Sequence, residues 1–238
     1  ISSVGAYLIG LSADIIAMVL TLVVVICIPE MRRGGTAATP ERGMSPKMIG
    51  AAITGNGVLR SAFIMDCSQA FAFVALEDFF SLLLAGRGMN AVASGVTIAV
   101  QLLASASIGF IVPSAITRVD KGRFARICGI IRLVLTALFL IPLTPVNLLP
   151  VFYVLQTVAY SLFAPIKYSV FQNAADSAMR CSLISDQSQM VAVGAVLFYL
   201  LNAVLSSVAG IRVVLLVALG ISSLVYIPAL FRFTSQRP

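Results

Sequence analysis

Apolar residues along this chain come in long continuous runs, broken by short polar segments rich in Gly, Pro and Arg. Seven runs of 17–25 residues are predicted as helices over 4–28, 61–85, 91–112, 127–143, 149–171, 187–209 and 212–231. About 20 helical residues cover a hydrocarbon layer of ~30 Å. Inside such a layer each backbone N–H and C=O must pair within its own segment, so the runs read as transmembrane helices. A barrel would instead show strict apolar/polar alternation. The expected fold is therefore all-α, a polytopic bundle of about seven spans. Residues 1–28 hold the first span, 29–60 form a polar linker, and 61–238 form a six-helix bundle joined by short connections. Those connections include the Gly86-Arg87-Gly88 turn, a basic loop over 117–126, a turn bracketed by Pro142, Pro145 and Pro150, and a polar loop over 172–186.

Helical geometry, at 100° per residue, sorts the spans. In the second, Asp66 and Glu77 lie about 20° apart in angle and roughly 16 Å apart in height. Gln69 and Ser81 fall near the same face, and Asp78 about 100° round from it. The third carries a stripe of Ser94, Thr97, Gln101 and Ser105, and the fifth one of Tyr153, Gln156, Tyr160 and Lys167. The sixth opens with Asp186, Gln187 and Gln189 and holds Tyr199 and Asn202. The first and seventh are nearly plain apolar, as is the fourth apart from Arg132. A striped helix turns its stripe away from lipid. The second, third, fifth and sixth spans are thus expected to surround a shared aqueous space, shielded by the other three. Glu77, Asp78, Asp66, Gln101, Gln156, Tyr160 and Lys167 become the candidate substrate- or ion-binding residues.

Composition agrees: 60% of residues are hydrophobic and 11% charged, against about 25% charged in soluble proteins, so lipid is the solvent for most of the surface. The net charge of +7 would point to nucleic acid in a soluble protein. Here it reports orientation, and no nucleic-acid partner is expected. If the first span exits on the inside, 12 of the 16 Lys and Arg residues lie there: Arg32, Arg33, Arg42, Lys47, Arg60, Arg118, Lys121, Arg123, Arg126, Arg180, Arg232 and Arg237. Only Arg87 and Arg212 fall outside, which predicts a cytoplasmic linker and C-terminus. The chain has no His, and its four Cys stand singly, so no metal site, cofactor or disulfide framework is expected. No catalytic constellation and no phosphate-binding loop occurs, so the chain does not read as an enzyme. With no initiator Met, and Ile1 near the start of a run, the sequence reads as a fragment or processed piece. The first run, ending Ile28-Pro29-Glu30-Met31-Arg32-Arg33, is a stop-transfer pattern and not a signal peptide.

Four local patterns carry a resemblance. Ser12-Ala13-Asp14-Ile15 with Ile28-Pro29-Glu30 is similar to a sixth helix ending at the inner face. Gly88-Met89-Asn90-Ala91-Val92-Ala93-Ser94-Gly95 resembles the outer turn into an eighth helix. Arg118-Val119-Asp120-Lys121-Gly122-Arg123 resembles a basic loop between paired helices, lacking its usual leading Gly. Arg180-Cys181-Ser182-Leu183-Ile184-Ser185 resembles the inner loop before an eleventh helix. With the one-plus-six arrangement, the chain resembles the major facilitator superfamily, as the sixth helix plus C-terminal half, nearest to drug and siderophore exporters. The resemblance implies a secondary transporter in a plasma or bacterial inner membrane, with the N-terminal half as partner. It would move a small molecule between two access states without ATP. The favoured subtype is H+-driven efflux of an amphipathic, drug-like solute, with Glu77 or Asp78 carrying the proton. Arg118, Asp120, Lys121, Arg123 and Arg180 would form the inner gate. Blander roles stay open: a wet interface for Glu77 and Asp78, an ion pair of Asp66 with Arg60 or a loop Arg, snorkelling for Lys167, snorkelling or gate pairing for Arg132, and orientation alone for the basic loop. If Lys167 faces the cavity, it binds an anionic group or pairs with Asp66 or Glu77. The rival functions are an importer or exchanger of an anionic metabolite or nucleotide, and a non-transporting assembly or sensor subunit.

Overall fold

The structure, a computed structural model, describes residues 46–115, 120–177, 179–205 and 208–235. The expected first span over 4–28, most of the linker and Arg118 lie outside the described residues. The described part is all-α. Helix α1 (Pro46–Gly55) falls within the stretch expected as linker. Then come α2 (Gly57–Ala85), α3 (Ala91–Ala115), α4 (Lys121–Leu140), α5 (Leu149–Ala174), α6 (Arg180–Leu205) and α7 (Ile211–Ser235).

Helices α2, α3, α5, α6 and α7 are long and apolar enough to cross a membrane. Helix α4 is not among them. It carries Lys121, Arg123, Arg126 and Arg132, and the 14 residues from Ile127 to Leu140 rise only about 21 Å. The apolar exterior agrees with a lipid solvent: Val92, Leu103, Val204 and Leu224 are each about 70% exposed or more, and water would penalise such a surface.

Local chemistry sets the helix boundaries. Asn56 caps α2, accepting from the N–H groups of Val58 (2.9 Å) and Leu59 (3.3 Å), which satisfies two donors a helix start leaves orphaned. Its Nδ2 donates to Ala174 O at 3.2 Å, fastening the start of α2 to the end of α5. The span therefore begins four residues before the expected Ser61. Asp120 caps α4, so the residues expected as a basic loop from Lys121 to Arg126 are helical. Arg180 to Asp186, expected as loop, form the first two turns of α6. In both places a capping residue or an amphipathic turn carries the helix past the apolar run. At the far end of the bundle, the Arg87 guanidinium donates to the carbonyls of Ile141 (3.2 Å), Pro142 and Thr144 (3.4 Å). This places a cation on the carbonyls that close α4, where the helix dipole favours it.

Packing runs α3 to α5, α5 to α4, α4 to α7, α7 to α2 and α2 to α6, with α2 also touching α5. The core holds Phe80 stacked on Tyr153 (ring centroids 3.7 Å apart), with Phe139 6.0 Å from Tyr153, and Phe198 against Phe71 and Phe79. One expectation is corrected here. The plain seventh span is not a peripheral shield: α7 buries Val214, Leu215, Ala218, Ser222, Tyr226 and Ala229 against α2 and α4. The striped α3 and α6 are the least buried spans. An apolar face serves equally against lipid or a neighbouring helix, so polarity alone does not separate them. Small residues decide it, because they let backbones approach. A Cβ added at Gly129 of α4 would stand 2.7 Å from Leu230 Cδ2 and 3.0 Å from the Tyr226 hydroxyl.

Candidate functional site: a charged cavity inside the bundle

Helix α2 is not uniform. Residues Ala70–Val74 form a π turn, the kind of defect that recurs at functional sites because it widens the helix and frees backbone groups. At its entry the Ser222 hydroxyl of α7 donates to Ser68 O, a side-chain repair of the kind that lipid-embedded helices need. On the other side α6 comes close. A Cβ at Gly194 would stand 2.2 Å from Cys67 O and 2.8 Å from Ala70 Cβ. The defect is clamped between two helices, with polar residues above and below it.

Below the π turn lies Asp66, 3% exposed. It forms a salt bridge with Lys167 of α5, whose side chain is 1% exposed. Gln187 Nε2 of α6 donates to the other carboxylate oxygen, Oδ2. The expected pairing of Asp66 with Arg60 or a loop Arg is replaced by this three-helix contact, and Lys167 does not snorkel. An unpaired carboxylate at this depth costs several kcal/mol, and Lys167 is the cation that α5 brings to it.

Above the π turn lies Arg132 of α4, 4% exposed. Its guanidinium carbon sits 3.8 Å from the Phe73 ring centroid and 4.1 Å from that of Tyr160. Its Nε donates to Gln156 Oε1 at 3.3 Å. Gln156 in turn donates to Thr157 Oγ1 (2.8 Å), which donates to Tyr153 O (3.1 Å). The Nη1 atom is buried with no hydrogen-bond partner. Of the two roles expected for Arg132, snorkelling or gate pairing, the first is corrected: two aromatic faces and a glutamine hold it inside.

These groups border one cavity of about 220 Å3. Asp66, Gln69, Phe73, Glu77, Arg132, Tyr160, Tyr168 and Gln187 line it. Glu77 is exposed and close enough to Arg132 for their charges to interact. The cavity is therefore bordered by a closed ion pair, Asp66 with Lys167, and by the Arg132 guanidinium and the Glu77 carboxylate.

The candidate residues distribute as follows. Asp66, Glu77 and Tyr160 line the cavity; Lys167 reaches it through Asp66 and Gln156 through Arg132. Asp78 turns away to accept from the Tyr199 hydroxyl of α6. Gln101 is half-buried on α3 and does not border the cavity; Ser94 and Thr97 of the same stripe are the buried ones. Among the gate candidates, Lys121 and Arg123 are exposed on the first turn of α4, and Arg180 begins α6 with its Nε buried and unpartnered. Asp120 accepts from the N–H groups of Arg123 (3.1 Å) and Gly122 (3.0 Å). The Arg123 N–H first, and then that of Gly122, hold its carboxyl below the usual range. Its observed work is capping.

Sequence reasoning did not place Arg132, Tyr168 or Tyr226 in this region. Arg132 did leave a signal, as the lone cation of an otherwise plain span. Tyr226, which accepts from Gln69 Nε2 at 3.3 Å, left none, because one Tyr in an apolar run is ordinary. No protein-family profile, curated protein or solved structure matches this chain.

Proposed function

We propose that this bundle is half of a secondary active membrane transporter that moves a small solute by alternating access. The observation that carries the reading is the polar cavity itself: four ionisable side chains from three helices gather inside a bundle whose exterior is apolar. Intramembrane charges are expensive and persist where they bind, relay or gate. The site also lies beside a break in regular helix, where transporter sites recur. In this reading a second bundle closes the open side of the cavity, and rocking of one against the other exposes it to each face in turn.

Glu77 is the proton carrier of this proposal. It is the cavity carboxylate without a direct salt bridge, whereas Asp66 is held by Lys167 and Gln187. The basic residues Arg60, Lys121, Arg123, Arg126, Arg180 and Arg232 would face the cytoplasm by the positive-inside rule. A cavity of about 220 Å3 with charged walls suits a small polar solute better than a drug-like amphipath, for which pockets of roughly 300–1,000 Å3 are usual. The anionic-solute version of the transport reading is therefore favoured over amphipath efflux.

The test is proton-coupled flux in liposomes holding the complete protein and a pH-sensitive dye, challenged with carboxylates, amines and amphipathic drugs. The expected result is that one class dissipates an imposed pH gradient, and that Glu77→Gln abolishes this coupling while leaving solute counterflow. No flux above empty liposomes for any class would overturn the reading.

A further inference from the structure

Of the two buried cations at the cavity, Arg132 is the one whose bonding is incomplete. Lys167 is closed off by Asp66, whose second oxygen is taken by Gln187. The faces of the Arg132 guanidinium are covered by Phe73 and Tyr160. Its Nε edge is occupied by Gln156. Of the terminal nitrogens, Nη1 is buried without a hydrogen-bond partner, in a side chain that is 4% exposed. A buried guanidinium nitrogen without an acceptor matches an anionic oxygen, and a carboxylate supplies one in the guanidinium plane.

We propose that Arg132 is the binding residue for the carboxylate of a small monoanionic solute in this cavity. The proposal deepens the transport reading, and rests on it only for the solute's passage, not for its binding. Charge balance sets the valence. With Glu77 ionised, the two carboxylates Asp66 and Glu77 cancel the two cations Arg132 and Lys167. Protonation of Glu77 leaves one surplus positive charge, which a monoanion neutralises and a phosphate dianion would overshoot. Glu77 and the solute thus compete for Arg132, and binding of the anion takes up one proton at the Glu77 carboxylate. Size is set by the volume: about 220 Å3 holds on the order of seven water-sized groups at ~30 Å3 each. The remaining wall supplies hydrogen-bond partners for a keto or hydroxyl group in Gln69 and Tyr168.

The test is binding to the complete protein in lipid nanodiscs, with radiolabelled pyruvate as probe and sulfate, a dianion at both pH values used, and methylammonium as competitors. Saturable pyruvate binding is expected, tighter at pH 5.5 than at pH 8, and displaced by neither competitor at equal concentration. Arg132→Gln should weaken it at least 10-fold. Gln156→Glu is the second variant. It sets a carboxylate beside Arg132 without removing the guanidinium, and should weaken binding similarly even if Arg132→Gln fails to fold. Unchanged binding in Gln156→Glu, equal displacement by sulfate, or absence of saturable pyruvate binding at both pH values would overturn the assignment. Binding as expected with no flux in liposomes would remove the transport reading and leave this site standing.

Discussion

Replacing Lys167 by Met destabilises the bundle by about 3–5 kcal/mol, the range for stripping one partner from a buried ion pair. Asp66 would keep only Gln187 as partner at 3% exposure, and a carboxylate in that setting must either hold an uncompensated charge or take up a proton. Asp66→Asn should cost a comparable amount by orphaning Lys167, which is 1% exposed. The double variant Asp66→Asn with Lys167→Met carries neither charge and is expected to recover most of the loss, because neutral replacement of a buried pair is often close to neutral. The check is a double-mutant cycle. The melting temperature of the monomeric species is read in detergent for the four proteins. Single variants as stable as the parent would mean that the Asp66–Lys167 contact does not organise α2 and α5.

Gly194→Leu is expected to have the second largest effect. The added side chain meets Cys67 O, with Cβ itself at 2.2 Å. A backbone oxygen cannot step aside by changing rotamer, so α2 and α6 must separate. Gln187, seven residues earlier on the same face of α6, would then lose Asp66. Overpacking usually costs about 1–3 kcal/mol, and more where nothing yields. This variant should lie at the upper end, about 3 kcal/mol, and appear as loss of the monomer peak in size-exclusion chromatography. Gly220→Leu on α7 provides the contrast. Nothing lies within 4 Å of its added Cβ, so its elution should match the parent. Equal behaviour of the two variants would refute the close α2–α6 approach at the π turn.

Much of the bundle was legible in the sequence, for a physical reason: hydrocarbon forces each segment to satisfy its own backbone, so apolar length alone reports a helix. The runs over 91–112, 149–171 and 212–231 correspond to α3, α5 and α7, each extended by a few residues. Boundaries failed where polar residues continue a helix. Asn56 and Asp120 start α2 and α4 by capping, and apolar counting does not see caps. The sixth and fourth runs fared worst, since α6 covers Arg180–Leu205 and α4 covers Lys121–Leu140.

The candidate site was legible in part. Angular reasoning brought Asp66 and Glu77 to one face of α2, and both line the cavity. The π turn between them was invisible, because a single wide turn leaves no periodic signature in eleven residues. Gln101 shows the opposite limit: a polar stripe announces that a face avoids lipid, yet Ser94 and Thr97 meet that need by burial. Thr97 does so by donating to the carbonyl of Ala93. Arg132 shows a third limit. Whether a lone cation snorkels or is held inside depends on which rings face it, and Phe73 and Tyr160 come from two other helices.

The proposed function requires the space bordered by Asp66, Glu77 and Arg132 to be an aqueous, solute-sized cavity within the membrane. Its most direct test is cysteine labelling in native membranes, in a background with the four native Cys replaced. Ser188→Cys and Val191→Cys border the cavity, whereas Leu224→Cys would sit on the lipid-facing side of α7, where Leu224 is 79% exposed. Thiols react as thiolates, which form in water and not among acyl chains. A membrane-impermeant methanethiosulfonate is expected to label the first two positions and spare the third, with Arg132→Gln leaving that pattern unchanged. Labelling of Leu224→Cys alone, or of none of the three, would contradict it.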